Sequence, residues 1–221
     1  MSSDNFIDEV QRFITKAKLS ERLDELNCEN IFDNEDSYTK EKSILEKIRL
    51  GQFSNTKEKG DALEDLVKSL FGRVDLINSV QICNKETGVG QIDIILIVLR
   101  DNIYDVWELA SEKPQGIIGE CKNYSTNKVS RPEIEKTCWR ACKSRCLSFF
   151  IAPSYTDDSI KEMQFFNLQK KSILTNHDGI YIVPITIEMI EKTVLNNINF
   201  CYFIKWAIAY SKNIAPIANY I

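Results

Sequence analysis

The chain has 221 residues, 43% hydrophobic and 27% charged, with a formal charge of −4. That length suits one domain with or without an extension, and the mixture is that of a globular protein rather than a disordered or fibrous one. The negative balance excludes a generally basic nucleic-acid coat but not a local basic groove, because a phosphate-binding face needs only clustered Lys and Arg.

In chain order, Phe6, Val10, Phe13 and Ile14 recur at helical spacing with charges between them. Asn27 to Lys40 is acidic and Asn-rich and reads as a loop. Ser43 to Ile48 gives a short helix through Ile44, Leu45 and Ile48. Residues 1–56 are expected as a helical extension, a lid or a partner-docking arm. No secretory signal is visible in Met1-Ser2-Ser3-Asp4-Asn5, and an odd count of seven cysteines predicts reduced thiols in a cytoplasmic protein.

Gly60 to Gly72 reads as an amphipathic helix with Leu63, Leu66, Val67, Leu70 and Phe71 on its apolar face and Gly72 as its stop. Val74 to Cys83 reads as a strand, Asn84 to Gly88 as a turn, and Gly88 to Leu99 as a second strand pairing with the first. Asp93 is the lone charge in that second strand. Arg100 to Ser111 is a connection in which Trp107 is expected to be packed rather than stacked on a base.

After the turn Lys113-Pro114-Gln115-Gly116, a short apolar run leads into Glu120-Cys121-Lys122. Glu120 and Lys122 are two apart and point to one face of a strand. Charges at the end of a buried strand are costly unless something there uses them. A carboxylate that holds a metal, beside an ammonium that steers or deprotonates a water, is such a use. On neighbouring strands, Asp93 and Glu120 would surround one Mg2+, a hard cation that prefers oxygen and keeps several waters. Such an ion, with Mn2+ as a substitute, would activate water and clamp a phosphate.

The polar segment after Lys122 leads to a helix from Ser130 to about Arg145, with Pro132 in its first turn and Glu133 completing a capping box. Lys128, Arg131, Lys136, Arg140, Lys143 and Arg145 make this the most basic stretch, where a phosphate backbone would lie. Cys138, Cys142 and Cys146 are spaced four apart and are expected as buried thiols on one helical stripe. Leu147 to Ala152 is a buried strand, expected parallel to the Glu120 strand through a βαβ crossover. A helix from Thr156 or Asp157 to about Lys171, a surface turn at His177, a strand from Gly179 to Pro184, and helices over Ile185–Val194 and Ile198–Ser211 follow. The final apolar stretch, broken by Lys205, is too short for a membrane span.

Asp93 followed by Glu120-x-Lys122 on a neighbouring strand resembles the signature of the PD-(D/E)XK nuclease superfamily. Gly119-Glu120-Cys121-Lys122-Asn123-Tyr124, followed by Val129-Ser130-Arg131-Pro132-Glu133-Ile134, is most similar to the Mrr-like restriction endonuclease branch. The resemblance covers residues 57–185. It implies an α/β, restriction-endonuclease-like mixed β-sheet flanked by helices, with helical N- and C-terminal extensions over 1–56 and 186–221. It also implies metal binding by Asp93, Glu120 and the Cys121 carbonyl, with Lys122 orienting or activating the attacking water. Glu64, on the helix before the first strand, would add a water-mediated contact. Lys128, Arg131, Lys136, Arg140 and Lys143 would meet DNA. A general-base role for Lys122 requires a lowered pKa, expected from burial. Some members of the superfamily hold an iron–sulfur cluster, but the cysteine spacing here departs from theirs.

The expected function is a Mg2+-dependent DNA endonuclease, a restriction or antiphage effector. No sequence-reading module is evident, so specificity or activation would come from a separate sensor protein. Double-strand cleavage would need two sites, hence a homo-oligomer or a larger complex. The rival expectation is a non-catalytic assembly subunit, and a third is an RNase on the same fold.

Overall fold

A computed structural model of the chain describes residues 38–74, 77–87, 90–98, 103–104, 107, 109, 114–124, 127–169 and 180–213. The expected helix around Phe6–Ile14 and the His177 turn lie outside these residues. Among the described residues the fold is α/β, a five-stranded mixed sheet flanked by six helices.

Helix α1 (Thr39–Leu50) takes in the last two residues of the loop expected over Asn27–Lys40. It stops at Gly51, whose φ of 62° is left-handed backbone that glycine adopts without strain. Helix α2 (Thr56–Phe71) starts four residues before the expected Gly60. Asn55 Oδ1 accepts the Glu58 N–H at 2.9 Å, and Glu58 accepts the Ser54 N–H at 2.7 Å, so the helix end is capped from both sides. The apolar face of α2 is buried as expected.

Strands β1 (Ile77–Thr87) and β2 (Gly90–Val98) form an antiparallel pair with Thr87 opposite Gly90. Residues 84–87, expected as a turn, therefore extend β1. The reading failed because β1 is a sheet edge, where polar residues are the usual guard against further pairing. Strand β3 (Gly116–Cys121) is antiparallel to β2 and parallel to β4 (Cys146–Ala152). Helix α3 (Arg131–Ser144) connects β3 to β4, which gives the expected βαβ unit. It ends at Arg145, whose left-handed φ of 53° turns the chain into the strand. Cys146 is thus the first residue of β4, not the third thiol of a helical stripe. Helix α4 (Asp157–Gln169) leads to β5 (Ile182–Thr186), parallel to β4. Pro184 is tolerated in β5 because β5 is the other edge of the sheet. Helices α5 (Ile187–Leu195) and α6 (Phe200–Asn213) complete the described residues. Thr186 caps α5, accepting the Met189 N–H at 3.1 Å.

The largest buried cluster joins α1, α2, α5 and α6 to one face of the sheet. Phe71 packs on Phe149 at 5.2 Å between ring centroids and on Phe200 at 5.1 Å. Trp107 is buried edge-on to Phe149, as expected. A second cluster sets α3 and α4 against Phe150, Ala152 and Ile182 of the sheet. The helices at the two ends of the described chain belong to the main cluster. Tyr38 is fully buried and donates to the Ile198 carbonyl at 2.8 Å. Beside it, the buried Glu41 accepts two hydrogen bonds from Arg73, each 2.8 Å, and one from Ser69. Among the described residues no helix is long and apolar enough to cross a membrane.

Candidate active site

The β2–β3 ladder pairs Leu96 with Ile117, Ile95 with Ile118 and Ile94 with Gly119. One further step along that register sets Asp93 opposite Glu120. The strands run close there, since a Cβ on Gly119 would come within 3.3 Å of the Ile94 Cβ. Both carboxylates are buried, Asp93 to 4% exposure and Glu120 to 9%. Asp93 Oδ2 accepts the Cys121 N–H at 2.8 Å, so a side chain replaces a ladder partner where β3 ends.

Lys122 lies just past β3 and turns back over both acids. Its Nζ is 2.7 Å from Glu120 Oε1 and 3.9 Å from Asp93 Oδ2. The structure thus brings together the three residues that the sequence singled out. Arg140 reaches the same point from α3, and its Nη1 donates to Glu120 Oε2 at 2.8 Å. The sequence placed Arg140 in a row of outward cations, whereas its side chain is only 17% exposed and points into the acid pair. Helical spacing shows that residues 136, 140 and 143 share a side. It does not show where α3 crosses β3.

Burial first, and then the Asp93 charge, raises the Glu120 carboxyl above its ordinary value, with Lys122 and Arg140 pulling the other way. Burial lowers Lys122, but Glu120 and Asp93 outweigh it and hold the ammonium above the ordinary lysine value. This reverses the expectation that burial would make Lys122 a neutral base. Burial pushes the Cys121 thiol far up, assisted by Asp93, Glu64 and Glu120. Cys121 is therefore a neutral thiol here, and its candidate donor is the carbonyl. The same coupling puts Glu64, buried on α2, within electrostatic reach of the Cys121 thiol.

The segment beyond Lys122 is pinned at two points that the sequence did not reveal. Asn123 Nδ2 donates to the Lys59 carbonyl at 2.8 Å and ties the end of β3 to α2. The Tyr124 hydroxyl donates to Glu133 Oε1, while Ser130 N–H and Oγ–H donate to Glu133 Oε2 at 2.9 and 2.8 Å. The capping pattern was legible, but not that a phenol nine positions earlier would share it. Burial and Glu133 push Tyr124 up to about 12.

Of the other expected DNA contacts, Lys128, Lys136 and Lys143 are exposed. Arg131 pairs with Glu135 at 2.8 Å and Glu162 at 3.0 Å. Lys143 lies 4.7 Å over the ring of Trp139, which is 55% exposed. Cys138 and Cys146 are buried free thiols, and Cys142 is half-buried.

Asp93 and Glu120 both face the Lys122 ammonium, so their oxygens are the groups that could hold a hard divalent cation here. Among the described residues no group of three or more His, Cys, Asp or Glu side chains gathers at one point. A metal here would rest on Asp93, Glu120, the Cys121 carbonyl and water.

No known protein family matches the chain, and neither the curated proteins nor the solved structures contain a match to it.

Proposed function

We propose that the chain is a Mg2+-dependent endonuclease that hydrolyses phosphodiester bonds in DNA, on a restriction-endonuclease-like fold. One observation carries this reading: Asp93, Glu120 and Lys122 meet at the end of β3, with Lys122 Nζ 2.7 Å from one acid and 3.9 Å from the other. The element order α2, β1, β2, β3, α3, β4 agrees with the architecture that the PD-(D/E)XK resemblance implies. Exposed Lys128, Lys136 and Lys143, on α3 or just before it, supply positive charge for a phosphate backbone.

In this mechanism Asp93, Glu120 and the Cys121 carbonyl would hold the cation, and Glu64 would contribute through water. Mg2+ bound there supplies charge neutralisation at the phosphate and a more acidic water. Lys122 stays protonated and donates a hydrogen bond to the attacking water, fixing it in line with phosphorus. The water oxygen bonds to phosphorus and gives up a proton to solvent, the P–O ester bond opposite it breaks, and the leaving oxygen takes up a proton from solvent. Lys122 then also faces the negative charge that builds on the phosphate.

The rival reading, a non-catalytic assembly subunit, draws on the cations that occupy both oxygens of Glu120. Plasmid, linear duplex, single strands and RNA, each incubated with and without Mg2+, separate the readings. The endonuclease reading expects metal-dependent cleavage of DNA that disappears in Lys122→Ala. Cleavage of RNA alone assigns the same site to an RNase. No cleavage, together with no Mg2+ or Mn2+ uptake in calorimetry, leaves the assembly subunit.

A further inference from the structure

Glu120 is held on each of its oxygens by a cation of the same chain. Lys122 Nζ is 2.7 Å from Oε1, and Arg140 Nη1 is 2.8 Å from Oε2. Lys122 also faces Asp93 at 3.9 Å. Two negative charges therefore already have two positive charges packed around them. The groups are largely buried, so these attractions are stronger than the same pairs in water. A divalent cation bound there brings two more positive charges beside an acid pair that already carries two cations. Glu64, coupled to Cys121, and Glu133, coupled to Lys122 but bonded to Tyr124 and Ser130, offset only part of this. Arg140 differs from the lysines of α3 in this respect. Among the described residues its side-chain hydrogen bond is to Glu120 alone, and Lys122 takes the other oxygen of that carboxylate.

We infer that Arg140 is the built-in counter-cation of Glu120, and that it makes the site take up a divalent cation together with a phosphodiester rather than before it. This rests on the endonuclease reading above. The substrate phosphate supplies the negative charge that the free site lacks, so metal and nucleic acid each bind better in the presence of the other. Such coupling is reciprocal, and the two enhancements must be equal. Arg140 is a positioning residue in this scheme, acting through Glu120 on the affinity for the cation.

The test measures binding rather than turnover. Ca2+ and Mn2+ are titrated into the free protein by calorimetry, and a labelled duplex is titrated by fluorescence anisotropy with and without Ca2+ at matched ionic strength. Wild type should bind either cation weakly when free, and Ca2+ should tighten its hold on the duplex by about tenfold or more. Asp93→Asn should lose that Ca2+ effect. Arg140→Gln should bind the cations more tightly when free, again by about tenfold, with a smaller Ca2+ effect on the duplex. Arg140→Lys, which keeps the charge, should restore wild-type behaviour. Circular dichroism melts check that each variant is folded, and the wild-type duplex arm needs no variant at all. Tight cation binding by free wild type, unchanged in Arg140→Gln and insensitive to duplex, overturns the inference while Lys122-dependent cleavage leaves the endonuclease intact. Absence of both cation binding and cleavage, with duplex present, removes the endonuclease reading and this inference with it.

Discussion

Held between Glu120 and Asp93, the Lys122 side chain acts as a cation before it acts as anything else. Its pKa is raised, so on the endonuclease reading its contribution would be charge and a hydrogen bond rather than proton abstraction. This yields a graded prediction. Lys122→Ala should lower the cleavage rate by about 10²–10⁴-fold. Lys122→Arg, with charge but no capacity to serve as a base, should keep a measurable part of it. Equal loss in both variants, read from single-turnover rates, would return the base role to Lys122. Asp93→Asn and Glu120→Gln should each lose metal-dependent cleavage while their melting curves stay cooperative. Asp93 and Glu120 were legible in the sequence because each is a charge where an apolar strand leaves no other use for it, and Lys122 because it lies two residues on from Glu120. Arg140 was not, because a helical repeat defines a face without saying which side chain on that face meets another element.

At the scale of elements, α3 both carries Arg140 inward and presents lysines outward. Lys136→Ala and Lys143→Ala should each weaken duplex binding about equally for all sequences, and each should flatten the salt dependence by about one ion. Arg131→Ala should do less, because Glu135 and Glu162 already engage that side chain. Binding curves at several salt concentrations decide the matter. The junction of α1 with α2 gives a pH prediction. Burial pushes the Glu41 carboxyl up, but hydrogen bonds from Arg73 and Ser69 outweigh it and bring the group below its ordinary value. A carboxyl depressed in the folded state stabilises above its unfolded pKa, and that stability is lost as pH falls through the folded value. Glu41→Gln should therefore cost about 2 kcal/mol at neutral pH. The gap to wild type should narrow once the pH drops below about 4. A gap that holds constant between neutral and acid melts would show that the Glu41 charge is not what matters. Element boundaries were less legible than element types. Asn55 and Glu58 cap α2 ahead of Gly60, and residues 84–87 have the composition of a turn but pair across a ladder. The first is a local cap read too late in the chain, and in the second pairing with β2 overrode the local preference.

For the molecule as a whole, the segments that sequence alone sets apart as extensions share the main hydrophobic cluster. Tyr38 and Leu45 at one end and Phe200, Phe203 and Trp206 at the other lie buried with Phe71 and Phe149. The full chain should melt in one transition, and a fragment of residues 57–185 should show none, because burial of that apolar surface is the main favourable term in folding. A cooperative melt of the fragment would instead mark it as an independent domain. The two halves of the sheet, antiparallel β1–β2 and parallel β3–β4–β5, join where Gly119 faces Ile94. A methyl at Gly119 would meet the Ile94 Cβ at 3.3 Å and force a shift of a few tenths of an ångström. Gly119→Ala should therefore leave a folded protein whose cleavage is slowed, by up to about 10²-fold if the reacting groups move apart by 1 Å. The seam between the halves is where a residue without a side chain would set the tolerance of the proposed chemistry.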